Sequence, residues 1–136
     1  VEPLLEVAPT PPDILLEDGD RLDAYGLDAV VLHTPGHTPG SSALMVEKRL
    51  AFVGDLVSMT GGPHAQSSYA DNWQQVAKSL ATVQAANLQW VYAGHGPRPM
   101  SGEEFQALRV TLVEESEVEE SDGIKDPFAS HNTRHK

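Results

Sequence analysis

The chain has 136 residues, 40% hydrophobic and 21% charged, and its 20 acidic side chains outnumber 9 Lys and Arg for a formal net charge of −11. This is enough chain and apolar content for one globular domain with a core, and the acidity argues against nucleic acid or an anionic membrane as the main partner. Cysteine is absent, which excludes disulfides, a thiolate metal site and a cysteine nucleophile.

No apolar run reaches the length of a membrane span and no signal-peptide pattern opens the chain, so the expected location is cytoplasmic. The first residue is Val1 rather than methionine, as expected of part of a longer product. Residues 1–12 include Pro3, Pro9, Pro11 and Pro12 and read as an extended segment. Glu17-Asp18-Gly19-Asp20 is a turn with Asp-Gly at its centre, flanked by residues 14–16 and 21–25. Its carboxylates lack EF-hand spacing and read as an acidic exposed turn.

The run Leu27-Asp28-Ala29-Val30-Val31-Leu32 is a buried strand feeding Thr34-Pro35-Gly36-His37-Thr38-Pro39-Gly40-Ser41. A histidine between two Pro-Gly pairs is held in a loop that neither helix nor sheet can absorb. Residues 42–46 and 50–53 form a hairpin around the turn Glu47-Lys48-Arg49, and the return strand delivers Gly54-Asp55. Residues 58–68 are a loop rich in Gly, Ser and Pro, long enough to border an active site. Asp71 with Gln74 is expected to form a capping box, and Trp73, Val76, Ala77, Leu80 and Val83 then mark one apolar helix face. Residues 89–93 are a short strand ending at Gly94-His95-Gly96-Pro97. A second capping box, Ser101 with Glu104, opens a helix with Phe105, Leu108 and Leu112 on one face. The stretch 114–122 turns acidic without an apolar face, and 126–136 is expected to be mobile.

Three residues of metal-ligand type, His37, Asp55 and His95, thus stand at the ends of apolar runs beside glycine. Each has a plainer reading: His37 satisfied by backbone hydrogen bonds, Asp55 as a cap or turn residue, His95 as a loop histidine. Their order decides between the two. It resembles the C-terminal half of the metallo-β-lactamase superfamily, in the TPGHTPGS loop, the strand ending in Gly-Asp and the late Gly-His. The resemblance runs from about Ile14 to Leu108 and does not extend to the family's His-x-His-x-Asp-His motif, since the chain contains no His-x-His.

The resemblance implies an α/β fold, one half of an αββα sandwich in which each half is a sheet backed by helices. It assigns 13–113 to that half, 1–12 to the extended N-terminal segment, and 114–136 to an acidic helix end and tail. It makes His37, Asp55 and His95 metal ligands, with Asp55 shared between two ions and the two histidines on opposite ions. Zinc is the expected metal, two ions in a complete site, and iron or manganese also suit these donors. The implied activity is attack by a metal-bound hydroxide on an ester, thioester, lactone, lactam or phosphoester, with Asp55 the residue nearest the chemistry. The rival reading is a non-catalytic interaction module or assembly subunit derived from such an enzyme.

His33 is read as supporting the ligand loop rather than binding metal. His64 is either an exposed loop histidine or one facing substrate, and Tyr69 and Trp73 border the pocket by family position. His131 and His135 lack an apolar face and read as incidental. No serine lies in a Gly-x-Ser-x-Gly elbow, so a serine triad is rejected. A half-sandwich leaves one sheet face bare, so a partner is expected: the missing N-terminal half or a second copy in a homodimer.

Overall fold

The computed structural model describes residues 8–112. The strands are β1 (Ala29–His33), β2 (Ser42–Val46), β3 (Leu50–Gly54), β4 (Val57–Ser58), β5 (His64–Ala65), β6 (Trp90–Ala93) and β7 (Met100–Ser101); the helices are α1 (Trp73–Gln84) and α2 (Gly102–Gln106). One mixed sheet has the order β1-β2-β3-β6-β7, and β4 pairs with β5 in a small separate ribbon. Strands β1, β2 and β3 form an antiparallel meander, while β3 and β6 run parallel and are joined through α1. Parallel neighbours need such a crossover, which is why a helix is inserted there. The β2–β3 turn carries Glu47 and Lys48 at φ 51° and 53°, the left-handed pair that matches the twist of a tight hairpin.

Alternation along the strands divides the sheet into two unlike faces. Ala51, Val91 and Met100 are register partners on one face and are fully buried, together with Ala43 and Val53. Val76, Leu80 and Val83 of α1 and Phe105 of α2 pack on this side and complete the core. Burial of each large apolar side chain here contributes about 1.5–3 kcal/mol. On the other face Leu44, Phe52 and Tyr92 are register partners, as are Leu50 and Trp90. Phe52 stacks on Tyr92 with centroids 4.9 Å apart, yet Phe52 and Trp90 are 47% and 46% exposed. Ala29 and Val31 at the β1 end of this face are buried, but among the described residues no helix lies over it, so the helix layer is on one side of the sheet.

The 17–20 turn is present, but its flanks do not form a hairpin of their own. Residues 19–22 instead run beside β1, with Gly19 N–H donating to the Val31 carbonyl at 2.8 Å and Val31 N–H to the Asp20 carbonyl at 2.9 Å. The helix α1 begins one residue later than expected: Asn72, not Asp71, is the cap, its side chain accepting from Gln75 N–H at 3.0 Å. Asp71 is occupied elsewhere, its N–H on the His37 carbonyl at 3.2 Å and its carboxylate on the Tyr69 hydroxyl. The Ser101–Glu104 capping box forms as read, but α2 ends at Gln106, so Leu108 is buried from beyond the helix and Leu112 is exposed. The segment at the helix end is tied to α1 by Gln84, whose amide donates to the carbonyls of Phe105 (2.9 Å) and Leu108 (3.1 Å). Gln106 returns a bond to the Gln84 carbonyl at 2.6 Å. The acidic stretch from 114, His131 and His135 lie outside the described residues.

Gln84→Ala removes one donor each from two part-buried carbonyls, which keep Leu108 N–H and the Arg109 guanidinium as partners, and is expected to lower stability by about 0.5–1.5 kcal/mol. Urea unfolding of the two proteins side by side measures this; equal midpoints would remove Gln84 from its anchoring role.

Candidate metal centre

The His37 loop closes on itself and is then fastened to α1. Thr34 N–H donates to the Ser41 carbonyl (2.9 Å) and Gly36 N–H to the Thr38 carbonyl (3.2 Å), and the hydroxyls of Thr38 and Ser41 meet at 2.8 Å. Asn72 N–H reaches the Gly36 carbonyl at 3.0 Å, and the buried Ser79 hydroxyl reaches the Pro35 carbonyl at 2.7 Å. Gly36 has φ +138°, and a Cβ there would run into the backbone and side chain of Val76. Glycine is therefore what lets the loop lie on the helix.

Asp55 leaves the sheet through an irregularity. The β3–β6 register shifts between Phe52 and Gly54, and Gly54 takes φ 53°. Such a bulge at a strand end re-aims the next side chain. Gly94 N–H then donates to the Gly54 carbonyl at 2.8 Å, bringing the two strand ends so close that a Cβ on Gly94 would lie 2.8 Å from Asp55 Oδ1. His95 follows directly, its carbonyl accepting from Met59 N–H at 2.9 Å. Beyond it, Arg98 forms a two-pronged pair with Glu104 at 2.7 and 2.9 Å, which ties this loop to the start of α2.

These three anchorages bring together the residues singled out from the sequence. His37 Nε2 lies 3.4 Å from Asp55 Oδ2, and His95 Nε2 lies 3.1 Å from Asp55 Oδ1. One carboxylate thus presents a different oxygen to each histidine. Side-chain exposure rises from 23% at His37 through 36% at Asp55 to 70% at His95, so the group opens outward into a cleft of about 350 Å³. Two donors on one tetrahedral zinc, with bonds of 2.0–2.1 Å, stand about 3.3 Å apart; both spacings fit that requirement. Among the described residues each histidine pairs with one carboxylate oxygen, and no three His, Asp or Glu side chains come together as a single metal-holding group.

The remaining candidates divide. His64 lines the same cleft, with its ring nitrogens against the carbonyls of Ala65 (2.8 Å) and Thr60 (3.2 Å). Tyr69 meets His37 through its backbone: its carbonyl lies 2.9 Å from His37 Nδ1, while its ring stands edge-on at 5.7 Å. The Asp71 carboxylate, as the acceptor of the Tyr69 hydroxyl, holds that phenol above its ordinary pKa. His33 stands apart, its Nε2 on the Pro39 carbonyl at 2.8 Å, in a separate cleft with Leu16 and Asp18. Sequence reading missed Gln66, whose amide lies 3.0 Å from the Asp55 carbonyl and 3.1 Å from His37 Nδ1. A glutamine in a polar loop carries no signal of this kind.

A mixed sheet backed by helices on one face, with two histidines and a carboxylate gathered at its strand ends, matches one half of an αββα sandwich. The family model of the metallo-beta-lactamase superfamily matches residues 2–102, and the chain belongs to that superfamily. It is 32% identical over 127 residues to a hydroxyacylglutathione hydrolase of Pseudomonas paraeruginosa, covering 85% of this chain and 47% of that protein. It is 36% identical over 87 residues to the hydroxyacylglutathione hydrolase of Cereibacter sphaeroides, covering 62% and 33% respectively. Among solved structures, TTHA1623 in a di-iron-bound form matches with a TM-score of 0.53 and 29% identity, over 71% of this chain and 46% of that one. The chain spans less than half the length of these curated relatives.

The Arg98 guanidinium holds the Glu104 carboxyl down to about 2 from its ordinary 4.5, with the Ser101 N–H adding to the effect. A depressed folded-state pKa stabilises the fold above the ordinary value, and the contribution is lost as pH falls through the folded one. Glu104→Gln is therefore expected to lower the melting temperature near neutral pH, with the gap to wild type shrinking between pH 4.5 and about 2. Thermal melts of both proteins across that range test it; a gap independent of pH would exclude the ion pair as its source.

Proposed function

We propose that this chain is the C-terminal part of a metal-dependent hydrolase of the metallo-β-lactamase type, in which His37, Asp55 and His95 are donors to a pair of metal ions and Asp55 is shared. The observation that carries this reading is the sharing itself: two histidines face the two oxygens of one carboxylate, at 3.4 and 3.1 Å. Histidine nitrogen with carboxylate oxygen suits zinc, iron or manganese; the di-iron form of one structural relative supports iron beside zinc. A metal pair at this position supplies Lewis-acid activation of water and of the substrate carbonyl or phosphoryl oxygen. The chain's own residues do the rest. The Tyr69 carbonyl orients the His37 ring, the Gly54–Gly94 contact fixes the carboxylate, and the cleft beside His64 admits a small molecule. Thioesters head the substrate classes, ahead of esters, lactones, lactams and phosphoesters, because two curated relatives are hydroxyacylglutathione hydrolases.

A catalytic zinc takes three protein ligands, and the described residues offer two per ion. The missing donors come from whatever covers the bare sheet face with Phe52, Trp90 and Tyr92: the preceding half of the polypeptide or a second copy of this chain. One observation favours a second reading, an interaction module that keeps remnants of a site: no three donors surround one ion position among the described residues.

Native mass spectrometry with metal analysis separates the two readings. A species holding this chain with its preceding half, or a dimer, and carrying two ions is expected; a metal-free complex would select the interaction module. In the metal-loaded protein, Asp55→Asn is expected to cut hydrolysis of a glutathione thioester by at least about 100-fold, the upper end of losses for residues that only support a ligand. Full metal content and full activity in that variant would exclude Asp55 as the shared donor.

A further inference from the structure

The side chain of Gln66 sits at the junction of two donor loops with its orientation settled by its surroundings. Its Oε1 accepts from Ser67 N–H (2.9 Å), Ser68 N–H (3.0 Å) and the Ser68 hydroxyl (2.9 Å). Rotating the amide by half a turn would set its NH2 against these donors and its oxygen against the Asp55 carbonyl, so the NH2 faces His37 and Asp55. One of its two hydrogens goes to the Asp55 carbonyl, 3.0 Å away. The other points toward His37 Nδ1, at 3.1 Å.

That nitrogen therefore has two neighbours that ask opposite things of it. The Tyr69 carbonyl at 2.9 Å can only accept a proton, and the Gln66 amide can only give one. A neutral imidazole satisfies one of them at a time, and which one is set at the far nitrogen. With Nε2 facing only the Asp55 carboxylate at 3.4 Å, the negative charge favours a proton on Nε2, leaving Nδ1 to accept from Gln66. With Nε2 used as a donor atom, the proton must sit on Nδ1 and the Tyr69 carbonyl takes it.

We propose that Gln66 is a positioning residue for His37: its amide holds the ring in the Nε2–H tautomer until Nε2 is claimed by a cation, when the Tyr69 carbonyl takes over without the ring moving. The second half of this rests on the metal reading of His37; the first does not. The exchange is balanced, since one proton leaves Nε2 for solvent, one arrives at Nδ1 from solvent, and the ring stays neutral.

Long-range 1H–15N correlation spectra of 15N-labelled protein, stripped of metal by a chelator and held at about pH 8, above the ordinary imidazole range, read the tautomer directly. The His37 signals are identified by their loss in His37→Gln. The expected result is a pyrrole-type Nε2 and a pyridine-type Nδ1 in the wild type. Gln66→Glu keeps an oxygen for Ser67 and Ser68 while removing the donor, and Nδ1 is expected to move into the pyrrole-type range. Gln66→Met gives the same direction where the glutamate variant does not fold. A pyrrole-type Nδ1 in the metal-free wild type, or a Gln66 variant that folds with Nδ1 unchanged, overturns the proposal. Zinc added to the wild type is expected to invert the pair. Failure of zinc alone to do so in protein that mass spectrometry shows joined to its covering half or copy, with the Gln66 variants behaving as expected, counts against the metal reading and leaves the positioning role standing.

Discussion

The carboxylate of Asp55 has two oxygens, and each faces a histidine delivered by a different part of the chain. Nothing local to Asp55 makes this happen. It requires that β3 and β6 run parallel, so that their ends reach the same rim of the sheet, and that the two ends come within hydrogen-bonding distance at Gly54 and Gly94. Gly94 is the narrowest point: any side chain there would occupy the space of Asp55 Oδ1. The bulge before Gly54 supplies the change of direction that a regular strand could not.

The third donor depends on the core in a different way. His37 is carried by a loop whose Gly36 and His37 carbonyls are taken by residues at the start of α1 and whose Pro35 carbonyl is taken by Ser79 in mid-helix, and that helix is held by Val76, Leu80 and Val83 in the apolar layer. Loop position is thus slaved to helix packing, which is how a segment full of proline and glycine is kept in one conformation. The least supported donor is His95, more than half exposed and fixed mainly through its own backbone and the Arg98–Glu104 pair. The exposure gradient runs from His37 through Asp55 toward His95 and the open side of the cleft.

Much of this arrangement was legible from residue order. Proline and glycine around His37, and glycine beside Asp55 and His95, mark places where strands must end in tight turns, and β1, β2, β3, β6, α1 and the start of α2 fall where the sequence pattern puts them. The misses share a cause: polar side chains with several uses. Asp71 and Asn72 are equally good caps by type, and Asp71 was lost to the His37 carbonyl and the Tyr69 hydroxyl. The carbonyls at the end of α2 are met by the side chains of Gln84, on another helix, and Arg109. Gln66 and the Tyr69 carbonyl touch His37 from more than two dozen positions along the chain, as the separations of 29 and 32 residues show. No local pattern encodes a contact of that span. The bare face was readable in kind, since one half of a two-layer sheet must expose one side, but the Phe52–Tyr92 stack on it follows from register, which only the paired strands reveal.

The parallel pairing of β3 with β6 also sets an order of events in folding. The β1–β2–β3 meander closes through connections local in sequence, the loop 34–41 and the tight turn after Val46, and can form early; it already holds the segments bearing His37 and Asp55. Its neighbour β6 can dock only after α1 has formed and crossed the sheet, because contacts distant in sequence carry the larger loop-closure entropy and arrive later. Asp55 therefore meets His95 near the end of the folding reaction, and the donor cluster is a late-forming feature whose presence marks a chain that has completed its crossover.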